Sequence, residues 1–336
     1  RAPSAIKRAV FEISFGLRAL TCRWEDPAAI VVVSPALLAS RMVALRARLH
    51  RIPVVTWVQD IYAIGVQEAG SGSGAGAIAA IEASLLAASE RVVVIHRRFR
   101  TALEERLGVT RPVDVVRNWS HVPEPAASDT AATRRRMGWG DDEVIVLHTG
   151  AIGAKQGLEN VIDAAVIARE RGSRVRFALV GDGGQRAALE QRPGAEAVSF
   201  VDPLPESQFL DVLAAADVLL VHERAGLTEM SVPSKLTSYF AVGKPVLAAV
   251  DTTSTTFAEM DAAGAGPIVP PAAPGALVTA AEELAAAPER AARYGAEAQS
   301  YRRRILTEDA AIAAFARTLS AAIDGVERSL TSSSRR

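Results

Sequence analysis

Short apolar runs alternate with longer stretches of helical periodicity along most of the chain. Ile30 to Val33 is the first such run, and four consecutive β-branched residues predict a strand covered on both faces. Ser34 and Pro35 follow it and are typical of a helix start. Further strands are predicted at residues 54–57, 91–95, 113–116, 144–148, 175–180, 197–201, 218–221, 246–249 and 267–269. Strands separated by helices pair in parallel, so the pattern predicts an α/β fold built from two successive doubly wound units.

The alternation stops between its two halves. This stretch holds Pro123, Pro125 and three consecutive arginines that begin at Arg134, which is typical of a connection between domains. The predicted division is a first domain at residues 1–122, a linker and lead-in helix at 123–142, a second domain at 143–300, a C-terminal helix at 301–330 and a disordered tail at 331–336. We expect the last part of the chain, from Pro288 to Leu330, to form one kinked helix.

The first residues of the chain predict a helix rather than a strand. Ile6, Val10, Ile13 and Leu17 fall at helical spacing. A doubly wound unit usually opens with an apolar strand and a glycine-rich turn. We therefore expect the first domain to be incomplete at its N-terminus and to lack at least one βαβ unit.

Composition excludes several classes of function. The chain has 336 residues, of which 49% are hydrophobic and 23% are charged, as in an ordinary globular protein. Its 38 basic residues balance 38 acidic ones, so we expect no nucleic-acid partner. The single cysteine excludes an internal disulfide and a cysteine-based metal cluster. No apolar run reaches the roughly 20 residues that a membrane-spanning helix needs.

A glycine-rich loop follows the first predicted strand of the second domain. It runs from His148 to Gly157 and includes Gly150, Gly153 and Lys155 ahead of a helix. Glycines let the backbone approach a phosphate, a helix N-terminus favours negative charge, and a lysine adds a point charge. A plain glycine turn with a surface lysine explains the pattern equally well.

A second loop of the same kind follows the strand at residues 175–180. It contains Gly181, Asp182 and Gly183 and also lies between a strand and a helix. The backbone of this loop could contact the same anion. For the Asp182 side chain, the simpler interpretation is the N-cap of the following helix.

A third segment follows the strand at residues 218–221. Pro233, Ser234 and Lys235 open a helix there, so the hydroxyl of Ser234, the first-turn amides and the charge of Lys235 could meet a phosphate. A capped helix with an exposed lysine is the alternative. The other candidate ligand contacts in this segment are Glu223, Arg224, Gly226 and Glu229.

These runs together resemble the glycosyltransferase family 4 enzymes, which have the GT-B fold, and most of all the colanic-acid-type exopolysaccharide glycosyltransferases. The resemblance is carried by Leu147–Glu159, Val180–Gly183, residues 233–246, Trp57–Tyr62 and Val116–Trp119. It implies two Rossmann-like domains facing a cleft, with the donor on the second domain and the acceptor on the first. It also implies transfer of a sugar from a nucleotide diphosphate with retained anomeric configuration and with neither metal nor cofactor.

The resemblance implies that positive charge offsets the departing diphosphate. Lys155 and Lys235 are the main candidates for this catalytic role. The arginine that often precedes the loop lysine in the family is replaced by Ala151 here, and Arg224 could compensate in part.

A second departure concerns two glutamates that many family members carry eight positions apart. Met230 and Ser238 stand at those positions in this chain. Ser238 therefore lies where the family usually contacts the donor ribose, and Glu223 or Glu229 could take over part of that contact.

Two residues of the first domain are further candidates. His96 follows a strand at the start of a helix, where it could contact the donor sugar or simply cap the helix. Asp60 follows the strand at residues 54–57, where it could bind the acceptor or cap a loop.

The N-terminal region is basic although the whole chain is neutral. Residues 1–51 contain nine basic and three acidic residues. Arg41, Arg46, Arg48 and Arg51 flank apolar positions of one predicted helix, which suits an anionic membrane surface or a lipid-diphosphate acceptor. A solvated helix face is the alternative.

The sequence thus predicts a retaining glycosyltransferase that uses a nucleotide sugar and a lipid-linked or glycan acceptor. We expect it in the cytoplasm, associated with the inner face of the plasma membrane. The alternatives are a nucleotide-sugar 2-epimerase of similar architecture and a non-catalytic module that binds a nucleotide sugar.

Overall fold

The computed structural model describes residues 5–63, 75–119, 122–123, 129–226 and 234–333. Its contacts divide the chain into two compact units. Unit 1 comprises Arg1–Asn118 together with Glu308–Arg336, and unit 2 comprises Trp119–Thr307. Among the described residues, no helix combines the length and the apolar character that crossing a membrane requires.

The first half of the chain alternates helices and strands as its hydrophobic pattern predicts. Its elements are α1 (Ala5–Thr21), β1 (Ile30–Val33), α2 (Leu37–Leu49), β2 (Val54–Val58), α3 (Ala75–Ala88), β3 (Arg91–Val94), α4 (Arg97–Arg106), β4 (Val113–Val115) and α5 (Thr130–Met137).

The alternation resumes in the second half, with short 3₁₀ turns at Ala154–Gln156 and Ala195–Ala197. Its regular elements are β5 (Val144–Thr149), α6 (Glu159–Glu170), β6 (Val175–Val180), α7 (Arg186–Glu190), β7 (Val198–Val201), α8 (Glu206–Ala215), β8 (Val218–His222), α9 (Lys235–Val242), β9 (Val246–Ala249), α10 (Thr255–Ala263), β10 (Ile268–Val269), α11 (Pro274–Ala286), α12 (Pro288–Ile305) and α13 (Glu308–Ser333).

Each unit contains one parallel sheet. The strand order is β1-β2-β3-β4 in unit 1 and β10-β9-β8-β5-β6-β7 in unit 2, and every neighbouring pair is parallel. Parallel strands need crossover connections, which the helices provide. The predicted α/β fold with two parallel-sheet units is therefore confirmed. The strand order reverses, as in a doubly wound sheet, in unit 2, whereas the four described strands of unit 1 follow one another in a single direction.

Strand β1 differs from the expectation of a strand covered on both faces. It lies at the edge of its sheet, and Val31 and Val33 are 38% and 42% exposed. Helix α1 also exposes its large apolar side chains, although its helical spacing is as predicted; these are Val10, Phe11, Ile13, Phe15 and Leu17.

The basic face predicted on α2 is partly occupied by contacts within the protein. The Arg46 guanidinium donates to the carbonyl oxygens of Ala19, Leu20 and Cys22 at the end of α1, and it stacks 4.0 Å over the Trp24 ring. Arg46 therefore holds α1 on α2, because these carbonyls have few partners inside their own helix.

The C-terminal part of the chain forms two helices rather than one kinked helix. Helix α12 ends at Ile305 and belongs to unit 2, whereas α13 begins at Glu308 and packs in unit 1. The rings of Phe315 on α13 and Trp57 on β2 meet edge to face, with centroids 5.1 Å apart. Helix α13 also reaches Ser333, three residues beyond the predicted helix end.

The sheet of unit 2 is covered by apolar side chains on both faces. All six residues of β5 are buried, and alternate residues belong to two different hydrophobic clusters. Ile145 and Leu147 pack into the cluster that contains Tyr239 and Phe240. A sheet covered in this way presents polar groups only at the ends of its strands.

Arg134 ties α5 to the sheet of unit 2. Its side chain is 12% exposed and donates to Asp217 at 3.0 Å. The same guanidinium donates to the backbone carbonyls of Ala215, Gly140 and Glu143 at 3.1, 2.7 and 2.7 Å. The predicted lead-in helix is thus fixed by one arginine that satisfies four acceptors.

We expect Arg134→Met to lower the free energy of unfolding by about 3 kcal/mol, because the substitution leaves one carboxylate and three carbonyls without this donor. The matched control is Arg136→Met on the exposed part of the same helix, for which we expect a change below about 0.5 kcal/mol. Urea denaturation measures both values. Equal effects of the two substitutions would contradict this role of Arg134.

Candidate functional site

The three loops singled out from the sequence lie at the carboxyl ends of strands β5, β6 and β8 in unit 2. These strands end at Thr149, Val180 and His222. Strand β5 pairs with both β6 and β8, so the three ends are neighbours at one edge of the sheet. Ligands of open parallel sheets bind at this edge.

Two of the glycines allow the β5 and β6 loops to touch through their backbones. A Cβ atom on Gly181 would lie 1.9 Å from the Gly150 carbonyl oxygen, and one on Gly183 would lie 2.3 Å from that of Ile152. The amides of Gly150 and Ile152 donate in return to the carbonyls of Val180 and Asp182, at 2.8 and 2.9 Å. The need for glycine at Gly181 and Gly183 therefore comes from packing within the protein.

Two glycine amides of the first loop already have acceptors within the protein. Gly153 donates its amide to Oε1 of Gln156 at 3.0 Å, and the Gly150 amide is bound to Val180. These two amides would have to give up their present bonds before they could donate to a ligand.

The N-cap interpretation of Asp182 is wrong. Helix α7 begins at Arg186, and Gln185 occupies its N-cap position. The exposed Asp182 carboxylate instead accepts from the amide of Gly183 at 2.7 Å.

Lys235 places its ammonium group at the end of β5. It is the first residue of α9, and its Nζ atom donates to Nε2 of His148 at 3.0 Å. A Cβ atom on Gly150 would lie 3.9 Å from the same Nζ atom. Burial lowers the pKa of the Lys235 ammonium to about 7, an effect that the charge of Glu223 opposes in part. A buried cation of this kind is stabilised when an anion approaches it.

His148 supports Lys235 without adding a charge. It is fully buried, and burial together with the charge of Lys235 holds its pKa well below the usual value. Its imidazole is therefore neutral near pH 7 and can accept from the ammonium. His148 has no predicted role of its own, although a polar residue near the end of a buried strand is a signal for a group at the site.

A second buried histidine holds the loop that carries Lys155. His222 Nδ1 donates to the Gln156 carbonyl at 2.6 Å, and its Nε2 accepts from Asn160 at 2.9 Å. This pair of bonds fixes one neutral tautomer. Burial accordingly lowers the pKa of His222 to about 4. The amide of Arg224 also donates to the Lys155 carbonyl at 2.8 Å, so β8 supports this loop from two sides.

Lys155 lies on the 3₁₀ turn Ala154–Gln156 with its side chain exposed. Both candidate lysines therefore belong to segments at the carboxyl edge of one sheet. The lysine on the turn is open to solvent, whereas Lys235 is half-buried.

Residues after β8 are oriented by α10 and by the loop before it. Glu223 is 5% exposed and accepts from the hydroxyl of Thr256. The amide of Gly226 donates to Oδ2 of Asp251 at 2.7 Å. Thr256 and Asp251 are not predictable from local sequence patterns, because both lie far along the chain from the segment that they position.

The remaining predicted residues of this segment have different surroundings. Ser238 is buried on α9, and its neighbour Tyr239 bonds through its hydroxyl to the amide of Thr149 at 2.9 Å. Ser234 is exposed and makes no side-chain cap bond to α9. Glu229 and Pro233 lie outside the described residues.

The two candidates of the first domain lie in unit 1. His96 is 6% exposed, and its Nδ1 accepts from the amide of Arg98 at 3.1 Å, so it caps α4. The backbone of Asp60 is held by Ser34, whose hydroxyl donates to the Asp60 carbonyl at 3.2 Å. Within the described ranges, no group of three or more His, Cys, Asp or Glu side chains could hold a metal ion.

Comparison with known proteins identifies sequence families for both halves of the chain. Residues 1–119 match the family described as "Glycosyl transferase 4-like domain", and residues 143–287 match "Glycosyl transferases group 1". The chain is 34% identical over 260 residues to the putative colanic acid biosynthesis glycosyl transferase WcaI of Escherichia coli (strain K12). That match covers 72% of this chain and spans 63% of the length of the relative.

Solved structures share the fold. HepE of Anabaena, in complex with UDP and glucose, matches with a TM-score of 0.70 and 16% identity over 95% of this chain and 84% of HepE. Sucrose-phosphate synthase of Thermosynechococcus elongatus matches with a TM-score of 0.71 and 20% identity over 96% and 81%. Residues 1–119 and residues 143–287 thus each match a glycosyl transferase family, and the chain shares a GT-B-like α/β fold with these solved structures.

Proposed function

We propose that the protein is a retaining glycosyltransferase that moves a sugar from a nucleotide diphosphate to a lipid-linked or polysaccharide acceptor. The observation that carries the proposal is the enclosed ammonium of Lys235, which lies 3.0 Å from the neutral His148 at the carboxyl end of β5. Such a group favours an anionic partner, and the diphosphate of a nucleotide sugar is one.

The proposed reaction needs few protein groups. The bond between the anomeric carbon and the diphosphate breaks, and the acceptor oxygen forms a bond to that carbon on the same face. The proton of the acceptor hydroxyl passes to an oxygen of the departing diphosphate, so no protein base is required. Lys235 and Lys155 stabilise the charge that develops on the leaving group, which lowers the barrier.

The comparisons support the proposal at the level of the family. The name of WcaI places that relative in colanic acid biosynthesis, and HepE binds UDP and glucose. We propose a UDP-sugar as the first donor to test and a glycan of the cell envelope as the product. We further propose that the lysines meet the diphosphate charge without a metal or another cofactor, and that the enzyme works at the cytoplasmic face of the plasma membrane.

A non-catalytic module that binds a nucleotide sugar is the second candidate. Ser238 favours this second candidate, because many members of the family that the chain resembles carry a glutamate at this position. Ser238 is also buried on α9. The two functions differ in one observable. The transferase releases a nucleoside diphosphate in the presence of acceptor, whereas the non-catalytic module binds the donor without turnover.

We expect Lys235→Met and Lys155→Ala each to lower the rate of sugar transfer by about 100-fold or more, because each removes charge that stabilises the leaving group. The assay follows sugar transfer from a panel of nucleotide sugars to lipid acceptors in membranes. Lys235→Met is also expected to keep or raise the melting temperature, because it relieves the cost of a buried ammonium.

Lys155→Arg is the charge-conserving control and should retain more activity than Lys155→Ala. Unchanged rates in both Lys235→Met and Lys155→Ala would contradict the assignment of the site. Donor binding that persists without turnover under every condition would favour the second candidate.

Affinity for UDP should fall as pH rises from 7 to 9. The pKa of Lys235 is about 7 in the free protein, so above that pH binding of the anion must be coupled to uptake of a proton. The loss is limited to about tenfold per pH unit. Calorimetric titration at several pH values measures it. Lys235→Met should bind UDP more weakly and with no such slope, and a slope that persists in this variant would show that another group titrates.

A further inference from the structure

Unit 1 contains a basic pocket that belongs to none of the loops described above. Its volume is about 440 Å³, and β3, β4, α4 and α13 contribute to its walls. The charged residues that line it are Arg91, Arg97, Arg100, Arg317 and Asp114. Four arginines around one cavity give it a strong positive potential, because a cavity with low-dielectric walls focuses the field of its lining charges.

The one carboxylate in the pocket is already engaged. Arg91 donates from two nitrogens to Asp114, at 2.8 and 3.1 Å, and the hydroxyl of Thr318 donates to the same carboxylate at 3.1 Å. The guanidinium of Arg91 and these bonds hold the pKa of Asp114 below its usual value against the opposing effect of burial. Asp114 is thus ionised and compensates Arg91.

The other three arginines form no such ion pair among the described residues, although the charge of Asp114 also acts on Arg100. In the part of the chain that the structure describes, the ion pair of this pocket joins Arg91 to Asp114, and no carboxylate lies within ion-pair distance of Arg97, Arg100 or Arg317. The Nε atom of Arg100 is buried there without a hydrogen-bond partner. A buried donor left unsatisfied is costly, and an acceptor inside the pocket would remove that cost.

We propose that this pocket binds an anion that carries a phosphate group. Guanidinium groups bind phosphate oxygens in pairs and with defined geometry, which lysine does not do. The volume lies within the roughly 300–1,000 Å³ typical of ligand sites and leaves room for an organic group attached to the phosphate.

Helix α13 makes the site dependent on the C-terminal part of the chain. It supplies Arg317 and Thr318, while α4 supplies Arg97 and Arg100. A bound phosphate therefore bridges α13 to α4 and stabilises the docking of α13 in unit 1. The phosphate can come from a soluble phosphorylated compound or from a lipid headgroup, and the two sources share this recognition chemistry.

The test titrates inorganic phosphate into the ¹⁵N-labelled full chain and follows the Nε–Hε signals of the arginine side chains by NMR. We expect saturable shifts of Arg97, Arg100 and Arg317. Arg100→Gln and Arg317→Gln should each weaken binding at these signals by about tenfold. The matched control is Arg106→Gln, which removes the same charge from the exposed end of α4 and should change binding by less than about twofold.

The proposal would be overturned if phosphate shifted the signals of Arg100 and Arg317 no more than that of Arg106. Equal weakening of phosphate binding by all three substitutions would also overturn it. Arg317 is exposed, so Arg317→Gln remains informative if Arg100→Gln fails to fold. Since these signals belong to unit 1, failure here is distinguishable from failure of the proposed transferase site in unit 2.

A second arm separates the two sources of phosphate. The full chain is sedimented with vesicles of phosphatidylglycerol or of phosphatidylcholine. One outcome is that the protein prefers phosphatidylglycerol, that the Arg317→Gln variant loses this preference and that the Arg106→Gln variant keeps it. This outcome would support the proposal and assign the ligand to a lipid headgroup. Phosphate binding in the first arm without vesicle binding in the second would support it and assign the ligand to a soluble compound.

Discussion

The central constraint in this protein is an ammonium group enclosed at the edge of a parallel sheet. Lys235 cannot be fully hydrated there, so burial lowers its pKa to about 7. Among the residues that the structure describes, its hydrogen-bond partner is a neutral imidazole, His148, and not a carboxylate. This arrangement fixes the position of the charge and compensates it only in part, through the charge of Glu223. In the proposed function, the diphosphate of the donor supplies the rest of the compensation.

The surrounding loops are built to hold that position. Gly181 and Gly183 let the β5 and β6 loops bond backbone to backbone, and His222 anchors the turn that carries Lys155. Such fixed groups stabilise charge in a transition state well, because they need little reorganisation when the reaction occurs. The fixed loops therefore hold in place a charge whose burial is unfavourable.

Local sequence patterns predicted the strands of both sheets, because β-branched runs such as Ile30 to Val33 have few alternatives to a strand. They also placed Lys155 and Lys235 in segments at one sheet edge, since the carboxyl ends of parallel strands lie at the same edge of a sheet. They could not reveal the contact between His148 and Lys235 or the pocket around Arg100. They also gave Asp182 the wrong role. Each of these depends on contacts between residues distant in sequence, as when α13 supplies Thr318 to Asp114 of β4.

The most direct test of this account is the pKa of Lys235 itself, measured by NMR titration of the labelled side-chain amine with and without UDP. The account predicts a pKa of about 7 in the free protein and a clear rise when the nucleotide binds, because the diphosphate favours the charged form. An ordinary lysine pKa near 10.4 that UDP leaves unchanged would contradict it.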